Sequence, residues 1–230
     1  MSSDGLREEE RESRWEASPA VAIVIGLQLV LAIVSLTQDW KTWNFSWWVW
    51  LIPVVPETIL LVLLSWSRPH ERLVQMGIRR KVGIALLAVV SLANALLVVG
   101  VIASLVRGQE KSGAQLLLKA VTVWGTNVIA YGLWFWAFDR GGPAERVQLN
   151  PPPPAPDFRF PQMESGEPGA DSWRPELFDY MYVSFTNSIA FSPTDAMPLS
   201  RWAKALMLSE SAISAVTILL VAARAVNIFK

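Results

Sequence analysis

The chain has 230 residues, of which 52% are hydrophobic and only 17% charged, and its mean hydropathy is positive. A soluble domain carries about a quarter charged residues, so this composition points to lipid as the main solvent. Lys plus Arg equals Asp plus Glu, which gives no reason to expect a nucleic-acid or strongly acidic partner. With no cysteine the chain cannot form a disulfide, a thiolate metal site or a cysteine nucleophile, and its single histidine, His70, lies in a charged loop, which argues against a histidine-built metal site or triad within one chain.

Residues 1–16 mix Arg7, Arg11 and Arg14 with Glu8, Glu9, Glu10, Glu12 and Glu16, a pattern expected of a solvated, disordered tail. It is not the short basic lead-in of a secretory signal, so the apolar run Pro19–Leu36 is expected to be a retained span. A transmembrane helix needs about 20 mainly apolar residues. Trp47–Trp66, Val82–Val106 and Leu116–Phe138 also qualify, which makes 17–138 a four-span membrane domain. A fifth span runs from Trp202 to Ile228. Trp40, Trp43, Trp47, Trp48 and Trp50 crowd the first hairpin, and Trp66, Trp134 and Trp136 mark other span ends, where tryptophan anchors at headgroup level.

Residues 139–175 change character. Gly141-Gly142-Pro143, then Pro151 to Pro154 and Pro156, predict a non-helical, extended connector, either a stiff spacer or a segment read by a polyproline-binding partner. Residues 176–230 hold the final span and, before it, the apolar run Leu177–Phe191. This run is short and carries Asp179, Ser184, Thr186, Asn187 and Ser188. Polar groups at membrane depth are tolerated when buried in protein or lining a water-filled cavity, so the run is expected either to re-enter the membrane or to form a short enclosed helix.

Lys and Arg collect in cytoplasmic loops. Arg68, Arg72, Arg79, Arg80 and Lys81 fill the second loop against Lys41 alone in the first, which predicts a cytoplasmic N-terminus and a cytoplasmic connector. If Leu177–Phe191 re-enters, Arg201 and Lys204 are inside; if it spans, Arg224 and Lys230 are inside instead. The charge rule does not choose between them. Hydropathy and the lack of cysteine fit a plasma membrane, and in particular a bacterial inner membrane.

Ionisable residues inside spans are costly and therefore informative. Glu57, just after Pro53 and Pro56, is either a cation or proton site or a hydrogen-bonding partner for a neighbouring helix. Lys119 is close enough to the start of its span to snorkel. Asn94 and Asn127 are expected to hydrogen-bond between helices. Glu210, Ser214, Thr217 and Arg224 share one face of the last helix, suiting a water-lined pathway or a packed interface, and Ser211 with Ala215 suits close helix contact.

Ser184-Phe185, then Asp195, Pro198 and Arg201, followed by a helix bearing Glu210, resemble the pore loop and inner-helix start of tetrameric potassium-channel-type proteins. That resemblance implies a short pore helix, a filter, an inner helix and a homo-oligomer. The family filter reads threonine-valine-glycine-tyrosine-glycine, whereas Ala190-Phe191-Ser192-Pro193-Thr194 stand here. Both glycines and the tyrosine are missing, so potassium selectivity through carbonyl rings is not carried over. In that family the loop dips from outside, which would place the basic loop 67–81 outside, against the charge rule. A wider set of residues, Phe158-Arg159-Phe160-Pro161, Phe178-Asp179-Tyr180, Tyr182, Ser184-Phe185-Thr186, Thr194-Asp195 and Ala225-Val226-Asn227, resembles a broad family of bacterial membrane proteins with no established activity. It implies the same architecture and no mechanism.

The sequence thus predicts an all-α polytopic membrane protein with five spans plus one re-entrant or short buried helix. The expected function is channel-like conduction of a small ion by a homo-oligomer in the lipid bilayer, with a weakly selective cation favoured and no nucleic-acid partner. Asn187, Ser188, Ser192, Thr194 and Asp195 are the constriction candidates, and Glu210, Ser214 and Thr217 the pathway lining. The alternative is a non-conducting scaffold or accessory protein. No serine–lysine, paired-aspartate or metal-ligand spacing points to an enzyme, and no cofactor is implied.

Overall fold

The computed structural model describes residues 3–42, 45–65, 79–108, 112–146, 154–164, 173–192 and 195–228. Six helices of twelve or more residues dominate it: α1 (Ser3–Thr37), α2 (Val54–Ser65), α3 (Arg79–Val106), α4 (Gly113–Phe138), α5 (Leu177–Ala190) and α6 (Arg201–Ile228). One antiparallel ladder joins β1 (Phe158–Arg159) to β2 (Met197–Pro198), with Phe158 opposite Pro198. The charged segment ahead of Ala17, expected to be a disordered tail, continues α1 towards its N-terminus; Glu and Arg are strong helix formers.

Among the described residues, four helical stretches are long and apolar enough to cross a membrane: Ala17–Thr37, Lys81–Val106, Gly113–Gly141 and Arg201–Arg224. The expected second span is shorter. It breaks into a 3₁₀ turn at Trp47–Leu51 and the twelve-residue α2, which together give the apolar stretch Trp47–Leu63. Proline explains the break, because neither Pro53 nor Pro56 has an N–H to continue a helix begun at Trp47. Pro56 is accommodated because it falls in the first turn of α2, where amide groups have no partner within the helix. Trp66 and most of the basic loop lie outside the described residues.

The chain divides into two compact units. One comprises Met1–Ala17 with Tyr131–Ile213, the other Ser18–Ala130 with Ser214–Lys230. In the second unit α2 packs on α3, Leu27 of α1 lies against Gly125 of α4, and Gln28 of α1 bonds Glu57 of α2. Asn94 Nδ2 donates to Asn127 Oδ1 at 3.5 Å, the long end of the hydrogen-bonding range. Lys119 is fully buried, and its Nζ reaches the carbonyl of Lys41 at 2.6 Å, so it satisfies a backbone group rather than reaching solvent.

In the first unit α4 and α6 run antiparallel. Phe138 packs on Trp202 with ring centroids 5.2 Å apart, and Tyr131 shares a 2.8 Å hydrogen bond with Ser209. The relation of α5 to α6 is the opposite. Tyr180 and Trp202, each near its helix start, flank Phe158 with ring centroids at 6.2 and 6.0 Å. Further along both helices, Asn187 meets Met207, Glu210 and Ser211. Contacts advance in the same direction, so α5 and the first half of α6 are parallel, and residues 191–200 return from the end of one to the start of the other. Gly132 allows α5 to cross α4 closely: a Cβ there would stand 3.2 Å from the Cα of Met181.

The connector is more structured than its prolines suggested. Asp139–Gly141 forms a 3₁₀ turn, and Pro143–Arg146 forms one helical turn with proline in the first position, where its fixed φ suits a helix. Gly142, at φ 106, turns the chain between them with its N–H bonded to the carbonyl of Asp139. Pro151–Pro153 lie outside the described residues.

A buried polar seam and an aspartate hub form the candidate functional site

The α5–α6 seam is built from two short polar patterns that face each other. Both carboxylate oxygens of the fully buried Glu210 are occupied: Ser184 Oγ donates to Oε1, and Asn187 Nδ2 donates to Oε2 at 2.7 Å. The same Nδ2 reaches the carbonyl of Met207 at 3.0 Å, and Asn187 Oδ1 accepts from Ser211 Oγ at 3.1 Å. A carboxylate that cannot reach water is thereby surrounded by donors, which is the condition for keeping it buried at low cost. Each hydroxyl and amide is one or two turns from the next, which is why one helix face can offer them together.

The start of α5 explains its aspartate. Glu176 precedes the helix in an extended conformation, and its N–H bonds to Asp179 Oδ2 at 2.8 Å, one half of a capping box. Asp179 therefore caps a helix rather than lining a cavity. The helix ends at Phe191 in a left-handed conformation, φ 54. Thr186 Oγ1 and Ser188 Oγ bond carbonyls of their own helix, Tyr182 at 2.9 Å and Phe185 at 2.8 Å.

A second cluster sits where α4, the connector, α5 and α6 meet. Asp139 is fully buried: Oδ1 accepts the N–H groups of Asp157 (2.8 Å) and Phe158 (3.2 Å), and Oδ2 accepts the hydroxyl of Tyr180 at 2.5 Å. Burial, the largest influence, raises the Tyr180 phenol above its ordinary value, so the hydroxyl remains a donor. Asp157 extends the network, accepting Trp202 Nε1 at 2.7 Å and the N–H of Arg140 at 3.2 Å. Arg146 lies with its guanidinium 5.1 Å from the Tyr180 ring centroid, and it donates to the Trp136 carbonyl at 2.7 Å. Phe135, Phe158, Phe160 and Trp202 enclose the cluster in edge-to-face and tilted contacts.

The residues singled out from sequence therefore fall into different environments. Asn187 and Glu210 are brought together, with Ser188 buried beside them on the same face of α5. Ser214 and Thr217 are buried further along α6. Ser192 and Asp195 are exposed on the return segment, and Thr194 lies outside the described residues. Glu57 is buried against Gln28, away from any of these residues in sequence. Among the described residues no cluster of three or more His, Asp or Glu is placed to hold a metal ion.

Asp139, Asp157, Tyr180 and Arg146 were not foreseen as a group. Asp139 ends a span and Tyr180 lies 41 residues further on, so spacing could not pair them. A weak signal existed in the aromatic run Phe158-Arg159-Phe160 after the prolines, since apolar aromatics are wasted on a solvated spacer. No protein-family model matches the chain, and no curated protein or solved structure matches it either.

Proposed function

We propose that the chain is a channel-like membrane protein in which α5 is a re-entrant half-helix, residues 191–200 form a return loop, and several copies surround a pathway for a small ion. The parallel course of α5 and α6 carries this reading. A chain that crossed the membrane in α5 would come back antiparallel in α6, whereas a half-helix and return loop begin the next helix on the side they came from. The same order of parts characterises the pore modules that Ser184–Arg201 resembles. Exposed backbone at membrane depth has to be covered by protein or lie beside water, which a ring of copies provides.

Counting the shorter Trp47–Leu63 stretch as a crossing beside the four long ones of α1, α3, α4 and α6 puts the N-terminus, the basic segment 67–81, the connector and the start of α6 on one side. That side holds 14 of the 20 Lys and Arg residues, so it is cytoplasmic, and the half-helix enters from the cytoplasm of a plasma membrane, in a bacterium the inner membrane. A cysteine placed at Gln75 in this cysteine-free chain should resist a membrane-impermeant thiol reagent in intact cells and react after permeabilisation. Labelling in intact cells would reverse the orientation.

On this reading Ser192 and Asp195 of the return loop face the pathway, while Asn187 and Glu210 hold the half-helix from behind. A ring of Asp195 favours cations, and without filter glycines sodium and potassium pass with little discrimination. Liposomes containing the oligomer should show such flux, reduced several-fold in Asp195→Asn. Chloride flux lost in Arg201→Ala would overturn the cation assignment. The second reading, a non-conducting scaffold, is favoured by the polar atoms of Asn187 and Glu210 being spent on each other. Absence of any flux from well-folded oligomers would leave it standing.

A further inference from the structure

Glu57 and Gln28 present an unfilled hydrogen-bonding requirement. Both side chains are 1% exposed, one on α2 and the other on α1. Gln28 Nε2 donates to Glu57 Oε1 at 2.8 Å, but Glu57 Oε2 and Gln28 Oε1 have no hydrogen-bonding partner among the described residues. Both are acceptors, and nearly all buried polar atoms find a partner. Among the described residues the surroundings offer no compensating charge. Between Glu16 and Asp39 α1 has no ionisable residue, and between Lys81 and Arg107 α3, which packs on α2, has none. The one Asp, Glu, Lys or Arg within α4, Lys119, has its Nζ on the Lys41 carbonyl.

We infer that Glu57 and Gln28 form an intramembrane binding site for a single proton. With hydrogen on Oε2, Glu57 becomes a carboxylic acid that donates to Gln28 Oε1 while its Oε1 continues to accept from Gln28 Nε2. Two acceptors without donors become one closed acid–amide pair, and the span carries no bare charge. Reversing the amide does not remove the requirement, since two oxygens would then face each other and a proton would have to lie between them. A metal cation would need four or more oxygen ligands in a comparable space, and the pair holds three, one of which already accepts from Gln28 Nε2. This site differs from the α5–α6 seam, where Glu210 finds a protein donor for each oxygen, and it stands whether or not the return loop conducts.

Infrared difference spectroscopy of the full protein in liposomes tests the assignment. At neutral pH, wild type minus Glu57→Gln should contain one carbonyl band of a protonated carboxylic acid, shifted in D2O and equal in sodium chloride and choline chloride. Gln28→Leu should keep that band and move it to higher frequency as its hydrogen bond is lost. This second variant carries the test if Glu57→Gln does not fold. A difference spectrum holding only carboxylate bands would overturn the proposal. Conversion of the acid band to carboxylate on replacing choline by sodium would make the site one for a metal cation. A band unmoved by Gln28→Leu would dissolve the pair.

Discussion

Asp139→Ala is expected to cost about 3 kcal/mol or more of stability, because it strips the acceptor from two backbone N–H groups and a phenol in a buried site, at about 1–3 kcal/mol for each donor left unsatisfied. The loss should be local in origin and wide in effect, since the same carboxylate joins the end of α4 to the connector and to α5. Asp139→Asn keeps an oxygen for the two N–H groups and should lose much less. Tyr180→Phe removes a single hydrogen bond to the carboxylate and should cost about 1.5–3 kcal/mol, less than the three lost in Asp139→Ala. Thermal unfolding of the detergent-solubilised protein, followed by tryptophan fluorescence, ranks the three, and proteolysis within 139–175 should accelerate most in Asp139→Ala. Equal midpoints for Asp139→Ala and Tyr180→Phe would mean that the backbone N–H groups do not depend on Asp139.

Glu210→Leu is the second large effect, about 3 kcal/mol, because two buried donors lose their acceptor at about 1–3 kcal/mol each. Ser184 and Asn187, both buried, would lose the oxygens they donate to. Glu210→Gln retains an acceptor for one of them and can reorient to serve Asn187 Oδ1, so its midpoint should fall little. Combining Glu210→Leu with Asn187→Leu should cost less than the sum of the two, with a coupling of about 0.5–3 kcal/mol. Strict additivity in unfolding midpoints would show that the two residues do not act as a pair. Leu208→Ala, on the exposed side of α6, serves as the control expected to change little.

The apolar helices were legible because about 20 apolar residues in a row have few other uses. The second span was less so, because its composition is apolar throughout while its two prolines decide where a helix can begin. The polar face of α6 could be seen from its period alone, yet period says nothing of the partner. Ser184 and Asn187 were visible as polar residues in an apolar run, and only the parallel packing of α5 shows that they meet Glu210. Asp179 looked like a polar residue at depth until Glu176 proved to be the helix cap preceding it. The connector misled for a different reason. Proline and glycine predict an extended, non-helical connector and give no sign of the short helical turns at Asp139–Gly141 and Pro143–Arg146, while the carboxylate that organises it belonged by sequence to the end of a span.

The direction of α5 has an electrostatic consequence. A helix carries about half a negative elementary charge at its C-terminal end, from carbonyls with no partner in the next turn. α5 stops at Ala190, so that end is aimed at the chain that follows, where Ser192 and Asp195 are exposed. The helix dipole and the aspartate therefore act with the same sign on whatever occupies that space, and both draw positive charge. Removing the aspartate leaves the dipole. Its counterpart lies at the other end, where the parallel pair sets two positive helix ends on the same level, and the carboxylates of Asp157 and Asp179 stand beside them.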